Sequence, residues 1–240
     1  MMDAQMSQNG PAAPQAPAVI LRADYQPPVW LVSEVNLTFR LGVEMTRVSS
    51  VLSVRRNPEG SGEQRLRLNG DGLTPRVVEV DDVVRNDWRM EGGDLVIDLD
   101  DDAHEISIET QIHPSANSQL MGLYASNGML CTQCEAEGFR RITFFPDRPD
   151  VLSVYRVRMM GDKAAFPVLL SNGNCMATGE GEDGTHWAEW HDPWPKPSYL
   201  FALVAGDLVA TSDRFTTMSG RDVALNVWTR HGDEGRTDHA

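Results

Sequence analysis

Val35-Asn36-Leu37-Thr38-Phe39-Arg40-Leu41 decides how the rest of this chain is read. Its apolar residues fall at every second position. Val35, Leu37, Phe39 and Leu41 therefore share one face of an extended strand, and Asn36, Thr38 and Arg40 share the other. The alternation returns at Leu66 and Leu68, at Val78 and Val80, and at Leu95, Ile97 and Leu99. It recurs at Ile106, Ile108 and Ile112, and again at Val223, Leu225 and Val227. Val151, Val154, Tyr155 and Val157 form an apolar run without clean alternation. Helical periodicity is nearly absent. The pattern predicts an all-β, β-sandwich-like domain built of antiparallel sheets.

Turn residues punctuate these runs. Asn172-Gly173 follows Val168-Leu169-Leu170-Ser171 and predicts a hairpin, because this pair best tolerates positive φ at both central turn positions. Asn69-Gly70-Asp71-Gly72 and Glu91-Gly92-Gly93-Asp94 predict further hairpins. Pro193, Pro195 and Pro197 lack the N–H a ladder needs, so they predict a loop ahead of an apolar strand from Tyr199 to Ala205. Residues 1–20, rich in Ala, Gln and Pro, read as a flexible tail; 21–207 read as one β domain. Residues 208–240 read as the start of a further unit that the chain does not complete.

Composition narrows the function classes. The 240 residues include 41% hydrophobic ones, enough for a core, and carry 35 acidic against 21 basic side chains, a net charge of −14. Such a surface repels phosphate backbones, so nucleic-acid binding is excluded as the main task. Three cysteines do not make a disulfide framework and point to a reducing compartment. The N-terminus lacks the basic and apolar regions of a signal peptide, and no apolar run is long enough to span a bilayer. A soluble, cytoplasmic protein with no membrane partner is expected.

Few residues carry chemistry. Cys131-x-x-Cys134 could be half a zinc site or a redox dithiol, but no second ligand pair follows and no βαβ pattern surrounds it; two small packed thiols are the simpler reading. His104-Glu105 continues Ile106-Ser107-Ile108, lacks a second histidine, and sits on a strand, so it is no metal site. Trp187, Trp190 and Trp194 with Tyr199 and Phe201 could form a stacking platform, although aromatic packing accounts for them as well. Gln133 and Glu135 lie two apart, on one side of an extended segment. A carboxylate with an amide oxygen suits a ligand ammonium, which needs acceptors from more than one direction.

The run Leu130-Cys131-Thr132-Gln133-Cys134-Glu135-Ala136-Glu137-Gly138-Phe139-Arg140, continuing through Phe144-Phe145-Pro146-Asp147-Arg148-Pro149-Asp150, resembles bacterial aminopeptidase N. So do Pro167 to Asn174, Trp194-Pro195-Lys196-Pro197 and Tyr199 to Asp207. The resemblance covers roughly Tyr25 to Trp228. It implies a saddle-shaped, mostly antiparallel N-terminal β domain ending near Asp207, followed by the first strands of a truncated thermolysin-like catalytic domain. It further implies that Gln133 and Glu135 bind the free α-amine of a peptide substrate. In that family zinc, held by His-Glu-x-x-His and a later Glu, activates water, and a Gly-Ala-Met-Glu-Asn motif adds a carboxylate. None of these motifs occurs in this chain. The expectation is thus the amine-recognition part of a zinc aminopeptidase, with no catalytic or metal residue of its own, inactive apart from the missing catalytic domain. Two alternatives stay open: a stand-alone β-sandwich module that binds peptides without catalysis, and a dithiol protein built on Cys131 and Cys134.

Overall fold

The computed structural model describes residues 21–237, so the expected tail at 1–20 lies outside the described residues. The first strands are β1 (Trp30–Arg40), β2 (Thr46–Arg56), β3 (Arg65–Leu68), β4 (Val77–Val80) and β5 (Val83–Val84). Next come β6 (Arg89–Glu91), β7 (Asp94–Asp98), β8 (Ala103–Ile112), β9 (Gly122–Ser126) and β10 (Met129–Gln133). They are followed by β11 (Ser153–Asp162), β12 (Val168–Ser171), β13 (Asn174–Glu180) and β14 (Thr185–Lys196). The last are β15 (Leu203–Gly206), β16 (Val209–Thr216) and β17 (Asp222–Thr229). Helix among the described residues is confined to short 3₁₀ turns.

An eight-stranded sheet runs in the order β13-β14-β11-β1-β2-β8-β4-β5. A four-stranded sheet, β12-β15-β10-β9, and a three-stranded sheet, β3-β7-β6, supply the other layer, while β16 and β17 pair with each other. One hydrophobic cluster joins the layers. Val35, Leu37 and Phe39 of β1 share it with residues such as Leu66, Leu95 and Ile97 of the small sheet and Leu130 and Leu203 of the four-stranded one. The alternation thus sorts one face of each strand into a shared core.

The expected antiparallel architecture holds with one exception: β1 pairs with β11 in parallel, from Glu34↔Val154 to Arg40↔Met160. The chain reaches β11 only after building the three-stranded sheet and the β9–β10 half of the four-stranded one. A connection of that length frees the strand direction from the constraint a tight turn imposes.

Two expected hairpins are absent. Asn172-Gly173 takes the chain from β12 in one sheet to β13 in another, and Asn69 to Gly72 leads from β3 to β4, which also lie in different sheets. Gly173 does adopt φ +85°. Its neighbour Asn172 is used for a side-chain bridge, accepting from Ala202 N–H at 2.6 Å and donating to Leu200 O at 3.1 Å. Glu91 to Asp94 does form the β6–β7 hairpin, with Gly92 and Gly93 at φ +62° and +100°.

The proline ridge also differs from expectation. Pro193 and Pro195 lie inside β14, where the β11 register jumps from Ser153↔Lys196 to Tyr155↔Asp192. A bulge lets prolines leave the ladder without orphaning a donor. Beyond it the expected strand from Tyr199 shortens. Pro197 caps a 3₁₀ turn at Ser198–Leu200, and strand begins only at Leu203.

Candidate functional site

The segment after β10 is built by a hairpin, a glycine and an aromatic anchor. Asn127-Gly128, at φ +50° and +83°, turns β9 into β10, with Gln133 opposite Gly122 at the far end. The strand stops there. Cys134 to Gly138 form a turn closed by Gly138 N–H donating to Cys134 O at 2.9 Å. Gly138 fits because it has no side chain: a Cβ would collide with the Gln133 carbonyl oxygen and lie 2.8 Å from Cys134 Cα. Phe139 follows, fully buried, with its ring 5.1 Å from Phe145, 6.0 Å from Tyr155 and 5.3 Å from Phe201 in edge contacts.

Gln133 and Glu135 therefore do not sit together on a strand as spacing alone suggested. Glu135 is in the turn, where the chain reverses, and a hydrogen bond rejoins the pair. Gln133 Nε2 donates to the Glu135 carbonyl oxygen at 3.2 Å. The amide nitrogen is engaged by that bond, which leaves Oε1 as its accepting end. Both side chains are exposed, while Cys134 between them points into the core, 3% exposed.

Charged side chains clamp the turn from behind. Asp147, buried, accepts from Arg140 N–H at 3.2 Å and Arg140 Nε at 3.1 Å, and from Ser198 Oγ at 2.5 Å. On the other flank Arg141 pairs with Asp71, whose N–H donates to Arg140 O at 3.0 Å. A cleft of about 430 Å³ includes Glu137, Arg140, Asp147 and Arg148 in its walls. Another of about 470 Å³ shares Glu137 and Arg140 and is lined beyond them by Asp71 and Arg141. Below the clamp Lys196 Nζ lies 3.9 Å over the Tyr155 ring and 2.9 Å from Asp192. Burial lowers the Lys196 pKa, against the opposing pull of Asp192.

The other sequence candidates disperse. Burial, followed by the charge of Asp147, pushes the Cys134 thiol pKa far up, the reverse of the thiolate a redox or metal site needs. Cys131 lies on β10 opposite Tyr124 and is a free thiol. His104 is buried on β8 with Nδ1 2.6 Å from Asp81. The aromatic residues do not form one platform: Phe201 is in the core, Trp187 stacks under Arg158 at 4.2 Å, and Trp194 is 78% exposed. Arg140, Asp147, Ser198 and Lys196 were not singled out as site residues from sequence. The Asn127-Gly128 pair between Ser126 and Met129 was the hairpin signal that could have framed β10 from its opposite end.

The β-rich body that carries this turn belongs to a known class. The family profile described as the Peptidase M1 N-terminal domain matches residues 34–200, and this chain belongs to that family. Among individual proteins it is 49% identical to the aminopeptidase N of Caulobacter vibrioides, over 93% of this chain and 26% of that one. It is 46% identical to the aminopeptidase N of Escherichia coli, over 94% of this chain and 25% of that one. The chain thus spans about a quarter of the length of these relatives. The crystal structure of Legionella pneumophila aminopeptidase A in complex with aspartic acid superposes with a TM-score of 0.85, at 30% identity, covering 90% of this chain and 26% of that one. An M1 zinc metallopeptidase from Deinococcus radiodurans shares the fold, with a TM-score of 0.72 at 15% identity over 86% of this chain and 49% of that one.

Among the described residues no group of three or more His, Cys, Asp or Glu side chains could hold a metal ion. His104 is engaged with Asp81 and Cys134 is buried as a high-pKa thiol, so neither is free to ligate. These residues do not fit a metal.

Proposed function

We propose that this chain is the N-terminal, amine-recognising part of a zinc-dependent aminopeptidase that removes N-terminal residues from peptides. The observation that carries the proposal is the exposed Glu135, whose backbone carbonyl accepts from Gln133 Nε2, on a turn anchored by Cys134 and Phe139. Glu135 forms a charge-assisted pair with the substrate ammonium, and Gln133 Oε1 accepts a second of its three N–H bonds. Fixing the amine fixes which peptide bond is presented, which restricts cleavage to the first. Any zinc is held by parts of the parent protein outside these 240 residues, and the chain alone is inactive. Its domain boundary lies near Asp207, after which β16 and β17 pair only with each other. Three free thiols support a reducing, cytoplasmic setting.

Two measurements test this. Purified 240-residue chain with added zinc should not hydrolyse an alanyl chromogenic substrate; chelator-sensitive turnover by uncontaminated protein would overturn the assignment. In the full-length parent, Glu135→Ala should lower kcat/KM by about two orders of magnitude, as loss of a desolvated charge partner does. Near-normal hydrolysis by that variant would refute the amine-binding role.

A further inference from the structure

We infer that Asp147 is a positioning residue for the amine-recognition turn, acting through Arg140 and Ser198 without touching substrate. The inference rests on the proposed role of Glu135 and goes one step behind it. A recognition carboxylate on an exposed turn is only as well placed as the backbone beneath it. Displacements of about 1 Å at a reacting centre can cost about a hundredfold in rate.

The Asp147 side chain is 1% exposed, and its oxygens are divided between two elements. Oδ2 takes both the backbone N–H and the Nε–H of Arg140, at 3.2 and 3.1 Å, which fixes that residue at two points. Arg140 Nη2 returns to the Asp147 carbonyl oxygen at 3.0 Å, closing the clamp. Oδ1 takes Ser198 Oγ at 2.5 Å, tying the clamp to the 3₁₀ turn that follows β14. Asp147 is held in turn, since its own N–H donates to Asn69 Oδ1 at 3.1 Å. Two residues before Arg140, Gly138 closes the turn on Cys134. Charge-assisted bonds in a dry site are strong and directional, so the orientation of Asp147 propagates to the backbone that carries Glu135. Packing alone does not call for a buried carboxylate here, and an apolar residue would cost less to bury.

The test uses the full-length parent enzyme with Asp147→Asn, Ser198→Ala and Glu135→Ala. The probes are two competitive inhibitors: free leucine, and the same acid without its amino group. Asp147→Asn and Ser198→Ala should each weaken leucine by about tenfold, the size of one lost charge-assisted bond, and leave the des-amino acid unchanged. Glu135→Ala should abolish the preference for leucine. Should Glu135→Ala keep that preference, the amine-recognition reading fails, and this inference with it. Should Glu135→Ala lose it while the other two variants bind both inhibitors as the parent does, only the positioning role fails. A lower kcat with both inhibition constants unchanged, or equal weakening of both inhibitors, would show a merely structural role and overturn the inference. Should Asp147→Asn not fold, Ser198→Ala decides, since it removes one bond and keeps the buried carboxylate paired with Arg140.

Discussion

The turn at Cys134–Phe145 and the hairpin β16–β17 are both short pieces of this chain with a strong apolar signature, and they have opposite fates. The first contains Phe139, Ile142, Phe144 and Phe145, all fully buried, and a network of ion pairs holds its polar residues. The second pairs eight residues against eight, from Val209↔Thr229 to Thr216↔Asp222, and leaves Phe215, Leu225, Val227 and Trp228 exposed. The hairpin has a full ladder between its two strands and little burial, and the turn has burial and almost no ladder. A two-stranded ribbon is marginal without a face to pack on, whereas a turn with almost no ladder is fixed once its aromatic residues enter a core. Rigidity at the proposed recognition site therefore comes from what lies behind it, the packed aromatic residues and the buried Asp147 clamp.

The sharpest way to break this comparison is Phe139→Ala. It removes a ring in contact with Phe145, Tyr155 and Phe201, and should lower the unfolding free energy by about 4 kcal/mol in urea titration. A loss under about 1 kcal/mol would mean the turn is not anchored by its aromatic core. Gly138→Ala probes the close approach instead. Its Cβ collides with backbone, which cannot swing aside, so a cost of about 2 kcal/mol is expected, together with faster exchange of the amides from Gln133 to Gly138. Wild-type stability in that variant would show that the turn has room to shift.

Legibility followed which residues carry the inward face. β1 and β8 could be read because Val35, Leu37 and Phe39, then Ile106 and Ile108, are inward and apolar. β2, equally long, was missed because its buried face includes Thr46 and Ser50, each fully buried. Ser50 Oγ is satisfied by Thr143 Oγ1 at 2.8 Å across the core, so a polar letter occupies an apolar place. Alternation also predicted β17 correctly through Val223, Leu225 and Val227, yet that strand lies exposed. Alternation reports that a face exists and says nothing of what covers it. The site divides the same way. Gln133 and Glu135 could be found because they are local to one motif. Asp147 could not be tied to Ser198, 51 positions on, or to Asn69, 78 positions back, because such bonds follow no sequence period.

A smaller effect sharpens the picture at the rim of the anchored region. Arg148 holds Asp150 at 2.6 and 2.8 Å and donates to Gln26 O, and Tyr25 Oη donates to Asp150 at 2.9 Å. The Arg148 guanidinium chiefly holds the Asp150 carboxyl below its ordinary value of 3.8, with Tyr25 assisting against partial burial. A depressed folded-state pKa contributes stability that is full above 3.8 and is lost as pH falls through the lower folded value. Asp150→Asn should therefore be less stable at pH 7, by no more than about 1 kcal/mol for a pair still partly open to solvent. The gap to wild type should narrow as the titration is carried to strongly acidic pH. A gap that widened in acid would reverse the sign and remove the pair as its cause.

The least effect belongs to the hairpin, and its smallness is the point. Phe215 is 57% exposed, so Phe215→Ala removes little buried surface and should change stability by no more than about 0.5 kcal/mol. Ladder amides of β16 and β17 should exchange much faster than those of β1 and β11, which sit in the middle of the large sheet. The same residue type thus tests both regions: one phenylalanine whose loss is felt throughout the core, and one whose loss leaves the core alone. Were Phe215→Ala to cost as much as Phe139→Ala, the hairpin would be packed on something in solution. Slow exchange in β16 and β17 of the 240-residue chain would lead to the same conclusion, and a self-associated form would be the first species to look for by sedimentation.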